Sequence, residues 1–402
     1  MNIKLNTLKE ELEAHVREQI LPFWMTKMVD HENGGFYGWA TNDGKIISEA
    51  NKAAVLNTRL LWTFSAAYSM FSDTDYLEMA ERSWDYIENY FFDKKYGGIY
   101  WMLDYKGNPV QSRKQIYALA FAIYAASEYY DATGNQCGIE RALDMFKRIE
   151  KYSFDQIQNG YFEAFSRYWK MLDDLRLSNK DVNEKKTLNT HLHILEAYTR
   201  LASKYEVSSV KDKLVNLINV FFERFIDPVN YHLYLFFDEY WNVKSKKISY
   251  GHDIELSWLL TEAAEKTGSK ILIEKCSSIS CRIAETILEN AVADDGSLYN
   301  EVKEDERLDD DRHWWPQAEA MVGFMNAYQH TGDEKYITEV MKLWEFIKKY
   351  FVHPEYGEWY FRISNNYQPY DEEEFAGPWK GPYHNGRMCF ELIRRIDKLQ
   401  HQ

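Results

Sequence analysis

His252 and Glu255 stand three residues apart at the start of a run that is otherwise apolar almost all round: Ile254, Leu256, Trp258, Leu259 and Leu260. A helix of that composition is buried on every side. Residues three apart share a helical face, so the carboxylate can reach the imidazole. A buried glutamate beside a histidine raises the ring's pKa and fixes its orientation, which prepares an acid/base group for work near neutral pH. The same pattern also fits a hydrogen-bonded core histidine capping a helix.

Other apolar helices open with polar residues too: Asn57 and Arg59; Tyr117; Asn189, His191, His193 and Glu196; Trp315 and Glu319; His384, Asn385 and Arg387. On the stretch 187–204, Leu188, Leu192, Leu195 and Tyr198 share one face, and Asn189, His193, Glu196 and Arg200 fall together elsewhere, a polar stripe suited to a wet lumen. His191 sits near the apolar face and reads as structural. Arg59 lies in an apolar helix and needs an anion or carbonyl partner, from the protein or from a substrate oxygen. Trp314-Trp315-Pro316 reads as a helix start with proline at its first position. Trp379 sits in a loop rich in proline and glycine, where a bulky ring is less expected to be core. His191 and His193 are two apart, unlike the i, i+4 pair of a zinc helix, and no metal is expected.

Elements that bring these residues together follow from a repeat. A turn glycine followed by alternating aromatics recurs as Gly34-Gly35-Phe36-Tyr37, Gly97-Gly98-Ile99-Tyr100, Gly160-Tyr161-Phe162, Gly296-Ser297-Leu298-Tyr299 and Gly357-Glu358-Trp359-Tyr360, with His232-Leu233-Tyr234 as a copy that lacks the glycine. The alternation marks short strands or hairpins. Between copies lie two helical runs, with breaks at Thr133-Gly134, Thr267-Gly268 and Thr331-Gly332. Glycine just past a helix end is a helix–turn–helix joint. Helices are expected at 5–29, 52–71, 75–92, 113–132, 137–152, 187–204, 208–226, 253–267, 270–290, 315–330, 334–351 and 384–400. Six helical hairpins joined by short β-hairpins imply an all-α fold, an (α/α)6 toroid, with an open solenoid as the alternative. The helix after each β excursion is expected inside. Parallel inner helices would converge their starts at one mouth. No linker interrupts residues 1–402, so one domain is expected.

Composition narrows the function. Apolar residues make up 45% of the chain, enough for a large core. A net charge of −15 argues against nucleic acid and anionic membrane surfaces. The four cysteines show neither metal spacing nor a secreted framework. With no apolar leader and no apolar span, a cytoplasmic monomer is expected. Aromatic residues reach 16%, mostly core, though such rings also stack on sugars.

Four motifs then carry a resemblance. Asn189-Thr-His-Leu-His193, Gly251-His-Asp-Ile-Glu255, Trp314-Trp-Pro-Gln-Ala-Glu319 and Gly377-Pro-Trp-Lys-Gly-Pro-Tyr-His-Asn-Gly-Arg387 resemble the cellobiose 2-epimerases of the N-acylglucosamine 2-epimerase superfamily. The likeness runs in order from Asn51 to the C-terminus. It implies an (α/α)6 barrel that inverts C2 of the reducing-end glucose of a β-1,4 disaccharide without a cofactor. It gives His252 and His384 the two acid/base roles, with Glu255 orienting His252. His193 and Arg59 would hold the enediolate. Tyr117, Asp181, Asn189 and Glu319 would line the sugar site, and Trp315 and Trp379 would stack on the sugar. Gly381 stands where the resemblance implies cysteine. Competing functions are an aldose–ketose isomerase using the same enediol, a glycoside hydrolase using paired carboxylates such as Glu255, Glu319 and Asp309-Asp310-Asp311, and a non-enzymatic helical scaffold.

Overall fold

Apolar composition decides which helices go inside. In the computed structural model, which describes residues 2–204 and 208–400, the inner helices are Ala54–Phe71, Ile116–Thr133, Leu188–Lys204, Tyr250–Thr267, Trp314–Thr331 and Tyr383–Gln400. Each packs on the next and the last packs on the first, so the ring closes and the open solenoid is excluded. Against it lie Asn2–His15, Thr74–Tyr86, Gln136–Arg148, Ser208–Val220, Lys270–Asn290 and Glu334–Tyr350. These outer helices are two-faced. On Thr74–Tyr86, Tyr76, Ala80 and Trp84 are buried while Asp75, Glu78 and Glu81 face solvent. Among the described residues no helix is long and apolar enough to cross a membrane.

Most helix starts shift by one to three residues from expectation, and two of the shifts bear on the site. The Tyr250–Thr267 helix begins three residues before 253, which puts His252 inside its first turn. The Trp314–Thr331 helix begins at Trp314, so Pro316 is its third residue rather than its first.

Short strands girdle one mouth. The strand entering an inner helix pairs antiparallel with the next hairpin: Lys52–Ala53 with Met102–Leu103, Lys114–Gln115 with Ala164–Phe165, Lys186–Thr187 with Phe236–Phe237, Ile248–Ser249 with Glu301–Val302, and Arg312–His313 with Arg362–Ile363. Ala40–Thr41 pairs with Glu374–Ala376 and completes the circuit.

Two devices fix these connections. Buried lysines at the strand starts clamp the preceding turn: Lys52 Nζ donates to Asp30 at 2.7 Å, Lys114 to Asp93 at 3.1 Å and Lys186 to Asp155 at 2.8 Å. The other oxygen of each aspartate accepts turn N–H groups, for example Glu32 and Asn33 on Asp30. In the second hairpin of each repeat the turn-closing residue is left-handed: Gly44, Gly107, Trp169, Trp241, Glu306 and Tyr367. Glycine adopts this backbone without strain, whereas other residues incur about 1 kcal/mol or more. At Trp169 and Trp241 the indole N–H reaches back to the carbonyls of Tyr96 and Gln158, at 2.9 and 2.8 Å. Those contacts offset the strain and tie successive repeats together.

Candidate active site

The six inner helices start at the strand-girdled mouth, so residues scattered over the sequence meet there. His252 lies beside the Trp315 indole, ring centroids 4.8 Å apart, and His384 lies beside the same indole at 5.7 Å. The two rings therefore flank one indole. Gly251 permits this closeness: a Cβ there would stand 2.4 Å from the Trp315 ring. His193 packs edge-on against Tyr117, centroids 4.8 Å apart. Arg59, buried in its helix, donates to the Trp379 carbonyl at 2.6 Å and to the Tyr117 hydroxyl at 3.1 Å. Its Nε is buried with no hydrogen-bond partner.

Behind the histidines lies one guanidinium. Arg387 Nη2 donates to Glu255 at 2.8 Å and to Glu319 at 2.7 Å, while Nη1 is bonded to Glu196 and the Tyr383 hydroxyl. Two of these carboxylates continue to histidines: Glu196 to His193 Nδ1 at 3.0 Å and Glu319 to His384 Nδ1 at 2.6 Å. Glu319 also accepts from the Trp258 indole at 3.0 Å. Burial, together with the charge of Glu319, pushes the Glu255 carboxyl well above its usual range, against the pull of Arg387. Burial disfavours charge on Glu196 too, but Arg387 and His193 outweigh it and hold that carboxyl low. Glu255, Glu319 and His384 offer ligand atoms within 4.8 Å of one another. The guanidinium already supplies the cation at the two carboxylates.

Burial, with His193 nearby, lowers His252 to about 3. Burial, with Arg59 and Arg387 nearby, holds His384 well below 6.5. Both rings thus rest neutral. With Nδ1–H of His384 committed to Glu319, its Nε2 carries a lone pair, the form a general base needs.

Two recesses open at the mouth. One is lined by His252, Asn189, Asp181 and Glu163. The Asn189 side-chain oxygen is buried there with no partner, and Asp181 accepts from Ser178 at 2.8 Å. The other is lined by Trp379, Trp101 and Arg113. Arg176 and Leu177 border both.

Several sequence expectations are revised. Glu255 does not orient His252; its hydrogen bond goes to Arg387, and the partner of His252 Nδ1 is Ser249 Oγ at 2.6 Å. Spacing puts His252 and Glu255 on one side of a helix but does not say which neighbour the carboxylate meets. Glu319, expected to touch sugar, has both oxygens committed to His384, Arg387 and Trp258. His191 is structural as expected: its two nitrogens bond the Thr187 carbonyl at 2.7 Å and the Tyr161 N–H at 2.9 Å. Arg387 as the hub and Ser249 as a histidine partner were not anticipated. Gly381 packs on the Arg59 helix, where a Cβ would lie 3.1 Å from Leu56 Cδ1.

Comparison with known proteins agrees with this architecture. The sequence model of the N-acylglucosamine 2-epimerase family matches residues 35–386, and the chain belongs to that family. Within it, the chain is similar over its whole length to cellobiose 2-epimerases. That of Bacteroides fragilis is 44% identical over 386 residues, 96% of this chain and 98% of that protein. That of Dictyoglomus turgidum is 41% identical, covering 98% of this chain and 100% of its own. The solved structure of cellobiose 2-epimerase from Bacillus thermoamylovorans B4167 matches with a TM-score of 0.93 at 41% identity, covering 97% and 100% of the two chains. The protein is accordingly an enzyme, an epimerase acting on carbohydrate.

Proposed function

We propose that the enzyme inverts C2 of the reducing-end glucose of β-1,4-linked disaccharides, turning cellobiose into glucosyl-mannose, with lactose and mannobiose as similar substrates. The observation that supports this reading is the packing of His252 and His384 against one indole, that of Trp315. Inverting C2 requires an open-chain aldose, removal of the C2 proton, and return of a proton to the opposite face. A single base cannot readily serve both faces, whereas two flanking imidazoles can.

One neutral histidine takes the C2 proton. The electron pair left on C2 moves into a C1–C2 double bond, and charge develops on O1. Arg59, anchored on Trp379 and Tyr117, stabilises the enediolate as a preorganised cationic donor in a dry site does, and His193, its Nδ1 bonded to Glu196, accepts from a substrate hydroxyl through Nε2. The second histidine enters the step as the imidazolium, having taken a proton from solvent; it delivers that proton to the other face of C2 and is left neutral, the aldehyde re-forms, and the two rings have exchanged protonation states, ready for the reverse direction. Glu319 and Glu196 hold His384 and His193 in register from behind. Asn189, Asp181 and Tyr117 bind hydroxyls, and Trp315 and Trp379 supply stacking faces.

Incubation with cellobiose and carbohydrate analysis tests the reading. A product of unchanged mass carrying mannose at the reducing end is expected. Free glucose would point to hydrolysis, and a dominant ketose to isomerisation.

A further inference from the structure

Ser249 is the N-cap of the Tyr250–Thr267 helix, yet its side chain makes no capping bond. On the outer helices the caps Asp73, Asn135, Ser269 and Asp333 each accept a backbone N–H of their own helix, the usual use of such residues, whereas the inner-helix caps Gln115 and His313 make no such bond. The Ser249 hydroxyl is turned instead onto His252, 2.6 Å from Nδ1. Its backbone is pinned by pairing with Glu301 in the neighbouring strand. The histidines of this site therefore have unlike partners. His193 and His384 are held by carboxylates, which can only accept. His252 is held by a hydroxyl, which donates to a bare Nδ1 and accepts from a protonated one.

We propose that Ser249 is the positioning residue of His252, its hydroxyl holding Nδ1 in either protonation state so that Nε2 gains and loses a proton without the ring turning. The catalytic half of this inference rests on the epimerase reading given above. Charged and titratable groups facing His252 come from every side: His193 from the Leu188–Lys204 helix and Glu319 from the Trp314–Thr331 helix, His384 across Trp315, and Asp181, Glu163 and Arg176 from the shared recess. Against this mixed field the hydroxyl adds no fixed charge, leaving the ring free to serve as acid or base. A carboxylate in its place would bias the ring toward imidazolium.

Three variants test this. Ser249→Ala should lower kcat about 10- to 100-fold, part of the 10²–10⁴ that positioned proton transfer contributes, with KM changed less than about threefold. Ser249→Thr, which keeps the hydroxyl, should recover most of the loss. Ser249→Asp should raise the acid limb of the kcat–pH profile by about one unit or more. Imidazole NMR of substrate-free, histidine-labelled protein reads the same effect independently of turnover. In Ser249→Ala the His252 nitrogens should move to a mixture of tautomers, and in Ser249→Asp the ring should titrate at higher pH. Unaltered His252 signals in both variants would overturn the proposal, as would wild-type kcat and pH profile in Ser249→Ala. An inactive wild type with shifted ring signals would instead refute the epimerase reading and leave the positioning role intact.

Discussion

Glu319 Oε1 accepts from His384 Nδ1 at 2.6 Å and from Arg387 Nη2 at 2.7 Å, so one oxygen joins a histidine at the mouth to a guanidinium in the barrel's interior. Through Glu196 the same guanidinium reaches His193. Four inner helices, those carrying Glu196, Glu255, Glu319 and Arg387, thus share one cation. Arg387→Met would leave buried carboxylates without a counter-ion. A loss of about 3–5 kcal/mol in urea unfolding is expected, the usual result of removing one partner of a buried ion cluster. Arg387→Lys should recover little, because an ammonium cannot span carboxylates on three helices. Wild-type stability in Arg387→Met would rule out the hub.

The three carboxylates differ in what they hold, and activity should separate them. Glu255 is bonded to Arg387 and not to a histidine. Glu255→Gln keeps an acceptor oxygen for Arg387 and should stay within about fivefold of wild-type kcat. Glu319→Gln replaces the acceptor that orients His384, and a fall of about 10²-fold or more is expected, within the range for lost general acid–base catalysis. Steady-state kinetics on the two variants decides this. Equal losses would mean that Glu255 also acts on the reacting groups.

Stability should peak in mildly acidic solution. Burial lowers His191 to about 3 and His15 to about 4, against 6.5 for an ordinary histidine. As pH falls below 6.5 the unfolded chain takes up these protons first, so stability is lost toward pH 3 to 4. Burial raises Glu163 and Glu262 to about 8, against an ordinary 4.5. The folded chain keeps those protons while the unfolded chain gives them up, so stability is also lost as pH rises from 4.5 toward 8. Glu163→Gln imitates the protonated form and can still meet Thr187 N–H and Thr190 Oγ1. Its Tm should equal wild type near pH 5 and exceed it above pH 8. Parallel Tm curves for the two proteins would contradict a protonated Glu163.

Much of this was legible in the sequence, and the reasons for the rest are physical. The turn-glycine and aromatic repeat marks six hairpins, and apolar runs such as Ile116 to Ile123 mark the inner ring, because both signals are local. His252, His384, His193 and Arg59 stand out as polar residues in apolar helices. Arg387 stands out the same way, but its partners come from three other helices, and no spacing along the chain connects them. The mistaken role for Glu255 has the same origin, since a shared helical face fixes a direction and not a partner. The Lys–Asp clamps repeat at separations of 22, 21 and 31 residues and were readable in principle. The aromatic signal beside them is stronger, and an insertion before Lys186 breaks their rhythm.

Trp241 offers a test of the left-handed turn. Its indole covers Gly160, donates to the Gln158 carbonyl and packs near His191 at 5.7 Å. Trp241→Gly removes backbone strain of about 1 kcal/mol and also removes a large buried ring, for which losses of about 3–5 kcal/mol are usual. A net destabilisation of about 2–4 kcal/mol by urea denaturation is expected from those two terms. A stabilised variant would show that strain, rather than docking, dominates that turn.

Incubation with cellobiose in D₂O, followed by NMR at C2 of the reducing-end sugar, tests the central claim most directly. Deuterium should enter C2 of the glucosyl-mannose product and, as the reaction reverses, C2 of recovered cellobiose. His252→Ala and His384→Ala, each still folded, should lose nearly all product formation. Epimer formed without deuterium at C2, or a folded histidine variant that keeps most of the wild-type rate, would contradict proton transfer by this pair.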